Sequence, residues 1–117
     1  MREQGIRTRG AGDAHFRITC QLGKHIEVSR SYWRVITVLK HPSIATKQAE
    51  VQETLQTPDE IRRSVKGNKV FLYYKKYGSR YLCVIVRHRN GTGFIITAYL
   101  TKKIKEGIML WQKKESK

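Results

Sequence analysis

Apolar and polar residues alternate in two short runs near the start of the chain, HFRITC and KHIEVS, on either side of Leu22-Gly23. Such alternation predicts a small hairpin. From Ser31 the period changes. Tyr32, Val35, Ile36 and Leu39 recur at helical spacing, with Ser31 as N-cap and His41-Pro42 as the stop. A second helix is expected from Ser43 or Ile44 to about Gln56, with Ile44, Val51 and Leu55 on one stripe and Lys47, Glu50 and Glu53 on the other. Thr57-Pro58-Asp59 ends it. The remainder reads as an antiparallel meander: a short strand from Glu60 to Ser64, then Lys69 to Tyr77, Tyr81 to His88 and Gly93 to Thr101, turning at Gly78-Ser79 and Asn90-Gly91. The basic stretch KKIKEGIMLWQKK carries Ile104, Ile108 and Trp111 at roughly helical intervals, but Gly107 interrupts it, so it reads as a turn or irregular tail. The pattern predicts an α+β fold: two N-terminal helices packed on one face of a twisted antiparallel sheet of about four strands. Residues 13–112 form one domain in this scheme, between a flexible basic tail at 1–12 and a basic C-terminal tail at 113–117.

The turns assign side chains to faces. A two-residue loop at Gly78-Ser79 pairs Tyr77 with Arg80, Lys75 with Leu82 and Tyr73 with Val84, and one at Asn90-Gly91 pairs Val84 with Thr97 and Leu82 with Tyr99. One face then carries Leu72, Tyr81, Cys83, Ile85, Phe94, Ile96, Ala98 and Leu100 and receives the helices. The opposite face carries Tyr73, Lys75, His88, Thr97 and Tyr99. A bulge at either turn would flip this assignment.

Charge narrows the choice of partner. The 117 residues hold 24 Lys and Arg against 9 Asp and Glu, a formal net charge of +15. Residues 1–64 contain 11 basic and 7 acidic residues, whereas residues 65–117 contain 13 basic and 2 acidic, and no carboxylate occurs between Glu60 and Glu106. A stretch this long without a competing anion suits a polyanion, and nucleic acid is the first partner to test. Cys20 and Cys83 lack metal-ligand spacing, which argues against zinc and against a disulfide framework. No apolar leader or membrane-length run occurs, so a cytoplasmic protein without a membrane partner is expected. There is no phosphate-binding G-x-x-x-x-G-K-[ST] loop, no G-x-S-x-G and no strand-end pair of carboxylates, which disfavours NTP chemistry and metal-dependent hydrolysis; no cofactor is called for. RNA brings its own nucleophile, the 2′-hydroxyl. Its cleavage needs only a general base, a general acid and cations, roles open to His, Tyr, Arg and Lys.

The order YWRVITVLKHPSIA, EVQETLQTPDEIRRS, VFLYYKK, YLCVIVRH and GFIITAYLTKKIKEG resembles a family of small bacterial proteins, frequent in cyanobacteria, related to phage-type nucleases of the barnase, EndoU, colicin and RelE-like (BECR) superfamily. The resemblance covers roughly Tyr32 to Trp111. It implies N-terminal helices on an antiparallel sheet and metal-independent RNA cleavage, often by a toxin held by a small antitoxin. The family's polar positions fall on His41 in H-P, on Arg62 and Ser64 in I-R-R-S, and on Thr97 and Tyr99 in T-A-Y. Some relatives place a further histidine in a W-x-H-I pattern, where this chain has Val35.

His41, at the end of a helix, suits a general acid or a phosphate-binding cation, or else caps the helix. Arg62 and Arg63 point to opposite sides of an extended segment, so only one joins the site. Arg62 is the choice, gripping phosphate beside Ser64, or else pairing with Asp59 or Glu60. Thr97 and Tyr99 share a face and offer a hydroxyl pair to phosphate oxygens or a tyrosine acting with His41, or else Tyr99 stacks on a base. Lys75, Lys102, Lys103 and Lys105 supply electrostatics, and Arg87 and His88 contact the nucleic-acid backbone. Three functions fit: an endoribonuclease toxin, a non-catalytic nucleic-acid-binding module, and an interaction subunit for an acidic protein.

Overall fold

A computed structural model describes residues 14–104 and 107–114, so the expected tail at 1–12, the end of the C-terminal tail and Lys105 lie outside the described residues. The alternating runs form β1 (Ala14–Thr19) and β2 (His25–Ser29), joined through a turn that closes with Gly23 N–H donating to the Cys20 carbonyl. Ser29, two residues earlier than expected, caps α1 (Arg30–Arg34): its Oγ accepts from the Tyr32 N–H at 3.1 Å. After α1 the helix widens into a π-helical segment, Val35–Lys40, which ends with His41 N–H bonded to the Ile36 carbonyl five residues back. Pro42 has no N–H to continue the ladder. A 3-10 turn at Pro42–Ile44 follows, and α2 is confined to Gln48–Gln56. Then come β3 (Glu60–Arg63), β4 (Val70–Tyr77), β5 (Arg80–His88), β6 (Thr92–Thr101) and β7 (Ile108–Gln112).

These seven strands make one sheet in the order β1-β2-β6-β5-β4-β3-β7. All neighbours are antiparallel except β2 and β6, which run parallel through His25–Thr92, Ile26–Gly93 and Glu27–Phe94. The expectation of two N-terminal helices on about four antiparallel strands is therefore overturned: among the described residues the sheet has seven strands, is mixed, and carries only short helical segments. Two long-range events account for the difference. The first hairpin joins the sheet through the β2–β6 pairing instead of standing beside it. The stretch read as an irregular tail turns at Gly107, whose φ of 90° suits glycine, and continues as the edge strand β7.

The face assignment is corrected as well. The Gly78-Ser79 turn gives the expected pairs Tyr77–Arg80, Lys75–Leu82 and Tyr73–Val84. In β6 a bulge between the Ile85 and Val86 pairings puts Thr97 opposite Ile85, Ala98 opposite Val84 and Tyr99 opposite Cys83. Ile96 is the extra residue, and its carbonyl accepts from the Tyr32 hydroxyl at 2.8 Å, which pins α1 to the bulge. The helix-bearing face carries Tyr73, Leu82, Val84, Val86, Ile95 and Ala98, packed on Trp33, Ile36, Ile44, Val51 and Leu55. Leu72, Tyr81, Cys83 and Ile85, expected to receive the helices, lie on the other face. There Leu72, Tyr74 and Cys83 are buried, with Tyr81, Ile85, Tyr99 and Ile104 packed against them. Among the described residues no helix is long and apolar enough to cross a membrane.

Candidate functional site

Thr97, Tyr99 and Arg62 all lie on the face without helices, but not in one place. The cross-strand row Arg62–Leu72, Leu72–Ile85, Ile85–Thr97 sets Arg62 three strands from Thr97. At the usual strand spacing that is about 14 Å. Arg62 is also engaged: its Nε donates to Glu60 at 2.5 Å and its Nη1 to the Gly107 carbonyl at 3.1 Å. Ser64 Oγ accepts from the Lys66 N–H at 3.1 Å. His41, delivered to the open edge of β6 by the end of the π-helical segment, does meet Tyr99, with ring centroids 5.5 Å apart. Thr97, on the same face as Tyr99, buries an Oγ1 that has no hydrogen-bond partner among the described residues. Three of the five residues expected to act together, His41, Thr97 and Tyr99, are thus associated with the outer half of β6, while Arg62 and Ser64 stand apart.

The expected phosphate contacts divide similarly. Lys75 lies on the helix side, where its Nζ donates to the Thr57 carbonyl at 2.6 Å and ties β4 to the end of α2. Lys102 and Lys103 are exposed just after β6. His88 is buried instead of presented to solvent, at 5% exposure. Its ring stacks on Phe71 at 4.0 Å, and Nε2 lies 3.0 Å from the Tyr73 hydroxyl, which in turn lies 3.0 Å from the Cys20 sulfur. Burial, assisted by the Lys24 charge, lowers the His88 pKa to about 4. Burial first, and then Cys20, raises that of the Tyr73 phenol. A neutral imidazole accepting from a protonated phenol is consistent with both shifts.

A cluster of positive groups lies at the end of the β4–β5 pair, next to His88. Asn68 and Lys69 precede β4, and Arg89 and Asn90 follow β5. Antiparallel pairing brings both loops to one end, as the His88 N–H bond to the Lys69 carbonyl at 2.8 Å records. With Arg87 and His88 they line an open cleft of about 530 Å³. Arg87 is oriented by a 3.2 Å bond from Nη1 to the Asn68 carbonyl, and Lys69 holds a positive φ of 63°. Among the described residues no carboxylate lines the cleft. Of this group, only Arg87 and His88 were anticipated. The remaining members were legible in principle, because a hairpin places VKGNK and RHRNG at the same end.

Arg89 belongs to a second, smaller hollow on the face without helices, of about 180 Å³, bounded also by Arg17, His25, Glu27, Thr92 and Phe94. Its guanidinium covers the Phe94 ring at 5.1 Å from the centroid. Among the described residues no group of three or more His, Cys, Asp or Glu is placed to hold a metal ion. Comparison of the chain with protein-family models, with curated proteins and with solved structures found no match.

Proposed function

We propose that this protein is an RNA-binding domain that seats the phosphate backbone in the cleft at the end of β4 and β5. One observation carries the reading: Lys69, Arg87 and Arg89 line it together with Asn68 and Asn90, and among the described residues no carboxylate does. Cations at the end of a paired hairpin, with asparagines beside them, are groups that phosphate oxygens select. The resemblance to RNA-cleaving proteins directs the choice of nucleic acid. Binding of a labelled RNA, followed by fluorescence anisotropy over a salt series, tests the proposal. Each phosphate contact removed, by Arg87→Gln or by Lys69→Asn at its left-handed position, should weaken binding and reduce the log–log salt slope by roughly 0.7 to 0.9. Unchanged affinity and slope in the double variant would overturn it.

A second reading, a metal-independent endoribonuclease acting as a toxin held by an acidic antitoxin, is favoured by the His41–Tyr99 contact next to the unpartnered Thr97 hydroxyl. On this reading, total RNA incubated in EDTA gives discrete fragments ending in 2′,3′-cyclic phosphate, and His41→Ala abolishes them. Intact RNA, retained in a salt-dependent way, leaves the binding function standing alone.

A further inference from the structure

The hollow beside the cleft is built differently from the cleft itself. Its floor is Phe94, which stands on β6 opposite Glu27 of β2 and Arg87 of β5. Its wall includes the Glu27 carboxylate, of which one oxygen, Oε1, receives both Arg17 Nε at 3.0 Å and Arg17 Nη2 at 2.9 Å. A carboxylate repels phosphate but accepts hydrogen bonds from the N–H groups of a nucleobase. The ring below it offers a flat apolar surface. At about 180 Å³ the space suits one aromatic heterocycle and not a stacked pair. Arg89 lines both the hollow and the cleft, so the side chain that covers Phe94 also borders the space for a phosphate next door.

We propose that this hollow takes one unpaired base, stacked on Phe94, while the adjoining phosphate sits in the cleft, so that the domain selects single-stranded over double-stranded RNA. The inference rests on the phosphate-binding reading above and adds the ligand's strandedness. A duplex hides its base faces within the helical stack and cannot present one to Phe94. The exchange is favourable in direction, because an exposed cation–π contact is weaker than a base–aromatic stack. The displaced guanidinium also gains a charged partner.

The test compares one short RNA, single-stranded and annealed to its complement, at a fixed salt concentration. The proteins compared are wild type, Phe94→Leu, which keeps an apolar strand residue without a π-face, and Phe94→Tyr, which restores the ring. Single-strand affinity should fall about tenfold in Phe94→Leu and recover in Phe94→Tyr, with duplex affinity the same in all three. A 2-aminopurine placed in the single strand should be quenched on binding to the wild-type protein, a readout that needs no variant to fold. Equal affinity for single strand and duplex, or no quenching, overturns the inference. If Arg87→Gln still weakens both RNAs under that outcome, the phosphate reading survives alone. Absence of binding to either RNA overturns both.

Discussion

A histidine stacked on Phe71 and bonded to a phenol is poorly placed to accept a second proton, and His88 illustrates what that does to the energetics of the fold. The unfolded chain takes up a proton at this side chain near pH 6.5, the folded chain only near pH 4. Stability from this group is therefore fully present above pH 6.5 and is lost as the pH falls toward 4. Full protonation of the unfolded form alone corresponds to about 3 kcal/mol. Urea denaturation at neutral and mildly acidic pH should reveal this loss, and His88→Gln should diminish the difference between the two conditions even where it lowers stability overall. An acid sensitivity as steep in His88→Gln as in the wild type would contradict the assignment. The sequence places His88 beside a turn, where a phosphate contact is a reasonable expectation. Its ring packs against Phe71 and Tyr73, and Tyr73 is held in turn by Cys20, which is distant in sequence. Arg62 has the same lesson with the opposite partner: its pairing with Glu60, one of the two roles open to it in the sequence, is the one the fold adopts.

Among the elements, local signals were legible and long-range ones were not. The Gly78-Ser79 turn fixes the β4–β5 register, and its pairs follow from loop length alone. The bulge at Ile96 follows from no residue within β6. Both faces of β5 are apolar, since Leu82, Cys83, Val84 and Val86 are all buried, so alternation there cannot say which side meets the helices. The His41–Tyr99 association was anticipated as a possible partnership, whereas the separation of Arg62 from it depends on strand order. The seam between β2 and β6 is equally invisible locally, and Gly93 is held there between the Ile26 side chain of β2 and the backbone of β5. A Cβ at that position would lie 2.6 Å from the Arg87 carbonyl oxygen and 2.8 Å from Ile26 Cδ1. Backbone cannot yield cheaply, so Gly93→Ala should destabilise the fold by roughly 1 to 3 kcal/mol. Hydrogen exchange should locate the damage on both sides of Gly93, with faster exchange in β1 and β2 and at the His88 end of β5, and protection retained in the β4–β5 pairs toward the Gly78-Ser79 turn. Uniform exchange throughout the sheet would show instead that the seam is not a separable junction.

At the scale of the whole molecule, the uneven distribution of charge along the chain becomes a spatial asymmetry. The carboxylate-free stretch that starts after Glu60 supplies β4, β5 and the loops at their shared end, so a property visible in the sequence becomes a surface once the hairpin forms. The order of strands required information that sequence patterns do not hold, because β2 pairs with residues 92–94 and β7 returns to the far edge beyond β3. The parallel seam also orders events in time. The central strands can zip from short turns, but the first hairpin has no permanent neighbour on its β2 side until Thr92, Gly93 and Phe94 have been made and have left the ribosome. For most of the chain's synthesis, therefore, that hairpin waits with an open strand edge, the interval in which a nascent chain of this topology is most exposed to pairing with another.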